Sequence, residues 1–179
     1  MAGVFFIMDD NQASATGPAG PELLGRLFDR HAAALELYAR QWCASPEDAV
    51  QEALILLASE PQAPQDVVAW LYRVVRTRAI NASRSSRRRK QHERAAALPE
   101  TAWFAPSQGD TLDAHAAAKA LAELSADLRE VMIAHLWGGL TFEQIGQLMG
   151  TSDSTAHRRY LAALASVRQK LREPCPKNN

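Results

Sequence analysis

The sequence is poor in what disulfides and metal sites require. It has two cysteines, Cys43 and Cys175, far apart and in different segments. That excludes a disulfide framework and a CxxC metal site, and suits a reducing cytoplasm. Glycine and proline number only 9 each, and no stretch alternates apolar and polar residues with the two-residue period of a strand. No apolar run approaches the ~18 residues that cross a bilayer as a helix. Val4-Phe5-Phe6-Ile7-Met8 is too short for a signal segment, has no basic residues before it and runs into Asp9-Asp10; Met8 is as good a start as Met1. There is no Gly-rich phosphate loop, no carboxylate cluster at metal-ligand spacing and no Cys/His ligand set. His31, His92, His115, His135 and His157 are scattered. No enzyme activity and no cofactor are expected.

What is present is alanine, 33 residues of 179. An excess of the strongest helix former favours an all-α chain, and this length suits one domain or two small ones. Hydrophobic residues at 47% and charged residues at 22% describe a globular protein rather than a disordered one. The 20 basic and 20 acidic side chains cancel overall but not locally. Residues 1–69 carry net −7, residues 70–94 net +8, residues 95–137 net −4 and residues 138–179 net +3. Two basic blocks, each beside an acidic one, suggest two surfaces that face a polyanion.

Residues 1–20 read as a disordered leader. From Pro21 apolar residues recur at helical spacing: Leu23, Leu24, Leu27, Phe28, His31, Leu35 and Tyr38. Ser45-Pro46-Glu47-Asp48 opens a second helix, with Ser as cap, Pro in the first turn and acids at the positive end. It buries Val50, Ala53, Leu54 and Leu57 and leaves Asp48, Gln51, Glu52 and Ile55 on another face. Residues 59–66, with two prolines, form a loop. Asp66 caps a third helix with the stripe Val67, Leu71, Val74 or Val75, and Ala79. Arg73, Arg76, Thr77, Ile80 and Arg84 line its other side. Residues 95–112 lose periodicity and read as a flexible linker. The expected architecture is therefore two small helical domains, 21–94 and 113–173, with a tail at 174–179.

Residues 141–165 read as a helix-turn-helix. Thr141-Phe142-Glu143-Gln144 fits a capping box, Gly146 supplies a small residue at the crossing, and Met149-Gly150-Thr151 makes the turn. Ser152 caps the last helix, whose inner stripe is Ala156, Tyr160, Ala163, Leu164, Val167 and Leu171. Ser154, Thr155, His157, Arg158 and Arg159 point outward near its start, where Ser, Thr and Arg reach base edges and phosphates. The bland alternative is a helical hairpin with a solvated basic face. The helix bearing Arg73, Arg76 and Arg84 and ending in Arg87-Arg88-Arg89-Lys90 would bind phosphates with strong salt dependence. Trp70 and Tyr72 beside it either stack on unpaired bases or belong to the core.

In order along the chain, LFDRHAAALELYARQW with SPEDAVQEALILLAS, then VVAWLYRVVRTRAINASRSSRRR, then ALAELSADLREVMIAHLWGGLTFEQIGQLMGTSDSTAHRRYLAALASVRQKL resemble bacterial sigma factors of the sigma-70 family, extracytoplasmic-function type. The resemblance covers roughly residues 22–94 and 113–171. It implies two partners, core RNA polymerase and promoter DNA, and no membrane insertion. Asp48, Gln51 and Glu52, with Ile55 on the same face, would contact polymerase. Loop 59–66 falls where the family captures a flipped −10 base. Arg73, Arg76, Thr77, Asn81, Arg84, Arg87 and Arg88 would contact the −10 strand, and Ser154, Thr155, His157, Arg158 and Arg159 would read the −35 groove. Thr77 and Asn81 stand where the family usually has Asn and Asp, and Ala156, His157 and Arg158 also depart from its pattern, which leaves the promoter sequence open. Anti-sigma factors are common partners in the family, though no residue here marks a surface for one. No sizeable extension follows residue 171. The alternative is a stand-alone helix-turn-helix regulator, which usually carries an α/β sensing domain of which there is no sign here.

Overall fold

The computed structural model describes residues 17–92 and 112–172. The expected linker, the terminal tail, most of the leader and the choice between Met1 and Met8 lie outside the described residues. Seven helices and no strand occupy them: α1 Pro21–Ala39, α2 Pro46–Ser59, α3 Val67–His92, α4 Leu112–Ala122, α5 Ala126–Leu136, α6 Phe142–Met149 and α7 Asp153–Arg172. None of these is long and apolar enough to cross a membrane.

The local start and stop signals act largely as the sequence predicts. Pro46 with Glu47 and Asp48 opens α2, although Ser45 makes no side-chain cap bond. The acids on the helix's positive end serve instead. Asp66 Oδ1 accepts from Ala69 N at 3.0 Å and caps α3. Thr141 and Gln144 form the full capping box of α6, at 3.2 and 2.6 Å. Gly150 ends that helix at φ 67°, a left-handed conformation that costs glycine nothing. Ser152 Oγ accepts from Thr155 N at 3.2 Å at the start of α7. The Arg129 guanidinium donates to Leu121, Ala122 and Leu124 carbonyls and so closes the end of α4, where carbonyls have no helical partner.

Helices α1, α2 and α3 pack together, as do α4 to α7, and contacts α1–α5 and α3–α6 join the two groups. One continuous core runs across both, from Leu27, Leu35 and Leu57 through Leu71 and Val75 to Ile133, Ile145 and Ala156. A smaller cluster of Leu121, Leu124, Met132 and Ala163 lies under α4 and α7. The joint is aromatic. Tyr38 and Tyr72 meet edge to face at 4.8 Å, and Trp42 meets Tyr38 at 4.9 Å. Gly138 is required by this joint, because a Cβ there would stand 2.7 Å from the Tyr72 ring and hydroxyl. The turn itself is made by Gly139, at φ 67°.

Several packing expectations change. Phe28, Leu136 and Leu171 fit apolar stripes by their spacing but stand 49%, 51% and 48% exposed. Tyr72 is fully buried and so is unavailable to stack on a base, while Trp70 is half-buried. On α3 it is Val75, not Val74, that is fully buried. At the end of the expected leader, Ala19 is buried and the Gly17 carbonyl accepts from Ala63 N at 3.0 Å, while Pro18 and Gly20 are exposed.

Gly146 and Gly25 predict opposite responses to alanine. A Cβ at Gly146 would meet the Thr151 carbonyl oxygen at 2.9 Å and Asp153 N at 3.1 Å, both backbone. Gly146→Ala should therefore destabilise the chain by about 1–3 kcal/mol. Gly25, in mid-helix with nothing within 4 Å of an added Cβ, should gain roughly 0.5–1 kcal/mol as Ala. Denaturant unfolding of both variants measures the contrast, and equal shifts would refute it.

Candidate nucleic-acid interface

Helix α2 sorts its residues cleanly. Ala49, Val50, Ala53 and Leu57 are buried, while Asp48, Gln51, Glu52 and Ile55 are all exposed on one face. Ile55 is 65% exposed, beside two carboxylates and an amide. Glu52 lies 3.5 Å from Arg78 of α3, an exposed ion pair of little energetic weight. The face is thus apolar at one end, anionic at the other, and open.

Helix α3 carries Arg73, Thr77, Asn81, Arg84, Arg87 and Arg88 on exposed positions, spaced three and four residues apart so that most fall in one stripe. Thr77 Oγ1 donates to the Arg73 carbonyl at 2.9 Å. Arg76 stands apart from this stripe. It is half-buried, its Nε donates to Glu130 Oε1 at 2.7 Å, and its guanidinium lies 5.8 Å from the Trp42 ring centroid. Tyr38 OH donates to the same carboxylate oxygen, also at 2.7 Å. Glu130 is only 4% exposed. Burial works against the Arg76 charge, but the hydrogen bond and field of Glu130 outweigh it and hold the guanidinium above its ordinary value. Burial, followed by the negative field of Glu130, raises the Tyr38 phenol well above its usual range. Burial alone raises Tyr72.

The loop before α3 is fastened in its middle and at its end. Ala63 is buried under Gly17, and Asp66 Oδ2 accepts a short hydrogen bond from Gln144 Nε2 of α6. Asp66 and Gln144 therefore cap α3 and α6 respectively and also tie the two helix starts to each other.

On α7, Ser154, His157 and Arg158 are exposed, whereas Thr155 and Arg159 are half-buried. Thr155 Oγ1 accepts from Ser152 Oγ at 2.9 Å and from Arg158 Nη2 at 3.2 Å. Arg159 is held by Asp127 of α5 at 3.0 Å, and the His157 ring lies against Phe142 at 4.8 Å. Behind them His135 stacks on Phe142 at 4.4 Å, meets Tyr160 at 4.7 Å, and donates from Nδ1 to the Leu140 carbonyl at 2.8 Å. Sequence reasoning passes over His135, Glu130 and Gln144 as site residues. His135 has a readable signal, an aromatic residue each at 142 and 160; the other two have none.

Residues 27–89 match the family described as sigma-70 region 2, and residues 114–167 match sigma-70 region 4. The ECF RNA polymerase sigma factor SigL of Mycobacterium tuberculosis is 32% identical over 171 residues, spanning 90% of this chain and 97% of that protein. The probable RNA polymerase sigma factor RfaY of Xanthomonas campestris is 28% identical over 137 residues, 72% of this chain and 34% of its own. Among solved structures, the sigma factor RpoE of Bartonella quintana, in complex with the anti-sigma factor NepR, superposes at TM-score 0.65 with 25% identity, over 84% of this chain and 96% of that one. CnrH, in complex with the cytosolic domain of CnrY, shares the fold at TM-score 0.54 and 19% identity, over 85% and 89%.

The two buried phenols set a pH response. Their folded values lie above the ordinary 10.0. The stability they contribute is therefore complete below about pH 10 and is lost as pH climbs through the raised values. In alkaline titration, two of the three tyrosines should ionise only together with loss of the helical circular dichroism signal. Ionisation of all three ahead of that loss would contradict the burial of this joint.

Proposed function

The chain belongs to the sigma-70 family, extracytoplasmic-function type, and on that premise we propose that it binds core RNA polymerase through α2, directs it to promoters by reading a −10 element with α3 and a −35 element with α7, and assists strand opening. It is a specificity subunit rather than a catalyst. What carries this reading is the order along one chain of a region 2 match and a region 4 match, with SigL similar across nearly its whole length. Residues 21–94 and 113–173 are then the two working units, and the cytoplasm is where they act. Asp48, Gln51, Glu52 and Ile55 form the polymerase face. Arg73, Arg76, Thr77, Asn81, Arg84, Arg87 and Arg88 form the −10 surface, with Arg76 at its half-buried edge beside Glu130. Ser154, Thr155, His157, Arg158 and Arg159 form the −35 surface. The structural relative complexed with the anti-sigma factor NepR supports an anti-sigma factor as a further partner. A self-contained regulator is not favoured, because it leaves the region 2 half without a role.

The test is co-elution with sigma-free core polymerase on a sizing column at moderate salt. Stoichiometric co-elution is the expected result, and its failure with an active core from the matching organism would sink the reading. Asp48→Ala with Glu52→Ala should lower core affinity by on the order of 1 kcal/mol for each side chain truncated, leaving −35 recognition unchanged. Unaltered affinity would move the polymerase face elsewhere.

The α7 arginines should differ from each other. Arg158→Ala should weaken upstream promoter recognition by about 1–3 kcal/mol without changing core binding. Arg159→Ala should cost less, since its guanidinium is engaged by Asp127. Footprinting or competition binding with holoenzyme measures both, and equal losses would contradict the geometry.

A further inference from the structure

We propose that Leu161 of α7 is a base-reading residue, and that it selects thymine by packing on the C5-methyl group of that base in the major groove. This rests on the reading of α7 as the −35 helix. Ser154, Arg158, Leu161, Ala165 and Arg168 are all exposed, at steps of four, three, four and three residues that put them in one outward stripe. On the other side of the helix Ala156 and Ala163 are fully buried. Leu161 is 50% exposed and stands one turn beyond Arg158, whose guanidinium donates from Nη2 to Thr155 Oγ1 at 3.2 Å.

A single exposed leucine is ordinary; what sets this one apart is where it stands. From Ser154 to Arg172 the helix has no acidic residue, so Leu161 lies between Arg158 and Arg168 on a surface that attracts a polyanion. Ala162 and Ala165 beside it are exposed as well, and both are small enough to let a base edge approach. At 1.5 Å of rise per residue, Leu161 lies about 10 Å along the axis from Ser154. That is within the ~12 Å width of the major groove. The other exposed leucine of the helix, Leu171, lies about 25 Å along and Arg168 about 21 Å along, both beyond it. On the groove floor the thymine C5-methyl is the apolar feature that distinguishes one base from the others. A leucine side chain forms no hydrogen bond, so it discriminates by what it covers. Against thymine it buries a methyl group. Against cytosine it meets an amino donor and leaves it without a partner, which is costly. Arg158 supplies polar recognition and Leu161 apolar recognition, side by side.

The test uses holoenzyme, the full chain with core polymerase, and duplex promoter fragments randomised across the upstream element. Selection should enrich thymine at one position at least. Each enriched thymine is then replaced by uracil, which removes the methyl and keeps every hydrogen-bonding group. At the position that Leu161 covers, this should weaken wild-type binding roughly fourfold, the worth of one buried methyl. Leu161→Ala should bind the thymine and uracil duplexes equally, about as weakly as the wild type binds uracil. Alanine is the better helix former and the side chain is half exposed, so the variant keeps its fold. Leu161→Met, apolar and of similar reach, should restore the uracil penalty, and Arg158→Ala should retain it. A selected element with no thymine overturns the proposal. So does wild-type binding indifferent to uracil at every enriched thymine, and so does a uracil penalty that survives in Leu161→Ala. If wild-type holoenzyme selects no upstream sequence at all, the assignment of α7 to the −35 element fails, and the role of Leu161 fails with it.

Discussion

A carboxylate inside a protein needs its charge answered on the spot, and the way Glu130 is answered decides how the two halves of this chain sit. Left unpaired at 4% exposure, it would cost several kcal/mol. Its hydrogen-bond donors come from the other half of the chain, Tyr38 from α1 and Arg76 from α3. The charge is therefore comfortable only when the halves are packed together. Around it the Tyr38, Tyr72 and Trp42 rings and the bare backbone of Gly138 complete the joint. The joint also has a flaw. The buried Tyr72 hydroxyl finds no hydrogen-bond partner among the described residues, a defect of roughly 1–3 kcal/mol.

Four arginines show how little residue type says about role. Arg129 donates to three carbonyls and ends α4. Arg76 meets a buried carboxylate, Arg159 meets an exposed one, and Arg158 leans on Thr155. All four read alike as positive charge. What separates them is the acceptor within reach, and for Arg76 that acceptor lies 54 residues along the chain.

The same distinction explains what could be read from sequence. The helix-turn-helix was legible because its determinants are local: a capping box, a glycine at the crossing, a left-handed glycine at the turn. The exposed face of α2 was legible because Asp48, Gln51, Glu52 and Ile55 obey the helical period opposite Val50, Ala53 and Leu57; Leu54, expected with the buried set, is half-buried, and Ala49 joins it instead. Helix α3 was only half legible. Its stripe of Leu71, Val74 or Val75, and Ala79 was visible, but α3 packs against α1, α2 and α6, so Tyr72 on a second face is buried and Arg76 half-buried. A single-stripe reading assumes one covered side, and it sets Tyr72 beside the DNA surface. Phe28 is the converse error: it lies next to Leu27 in an apolar pattern, but its side of α1 is left half exposed. The joint between the halves was invisible, since its bonds span 54, 78 and 92 residues and follow no local period.

This separation between local and long-range determinants has a mechanical consequence. The contacts that orient the first half of α7 lie within residues 127–160: the Thr141–Gln144 box, the Gly146 crossing, the rings of His135, Phe142 and Tyr160, and the Asp127–Arg159 pair; further along the helix Ala163 packs with Leu121 and Leu124, and Lys170 pairs with Glu123. Of these residues Gln144 also reaches across the joint by hydrogen bonding to Asp66, and its box bonds to Thr141 do not depend on Asp66. Parting the halves removes the Glu130 and Asp66 contacts and uncovers Tyr72, but it breaks no bond that sets the recognition helix. The helix-turn-helix is therefore a locally determined unit. The α6–α7 crossing is thus built by local contacts, whereas the joint between the halves is built by long-range ones.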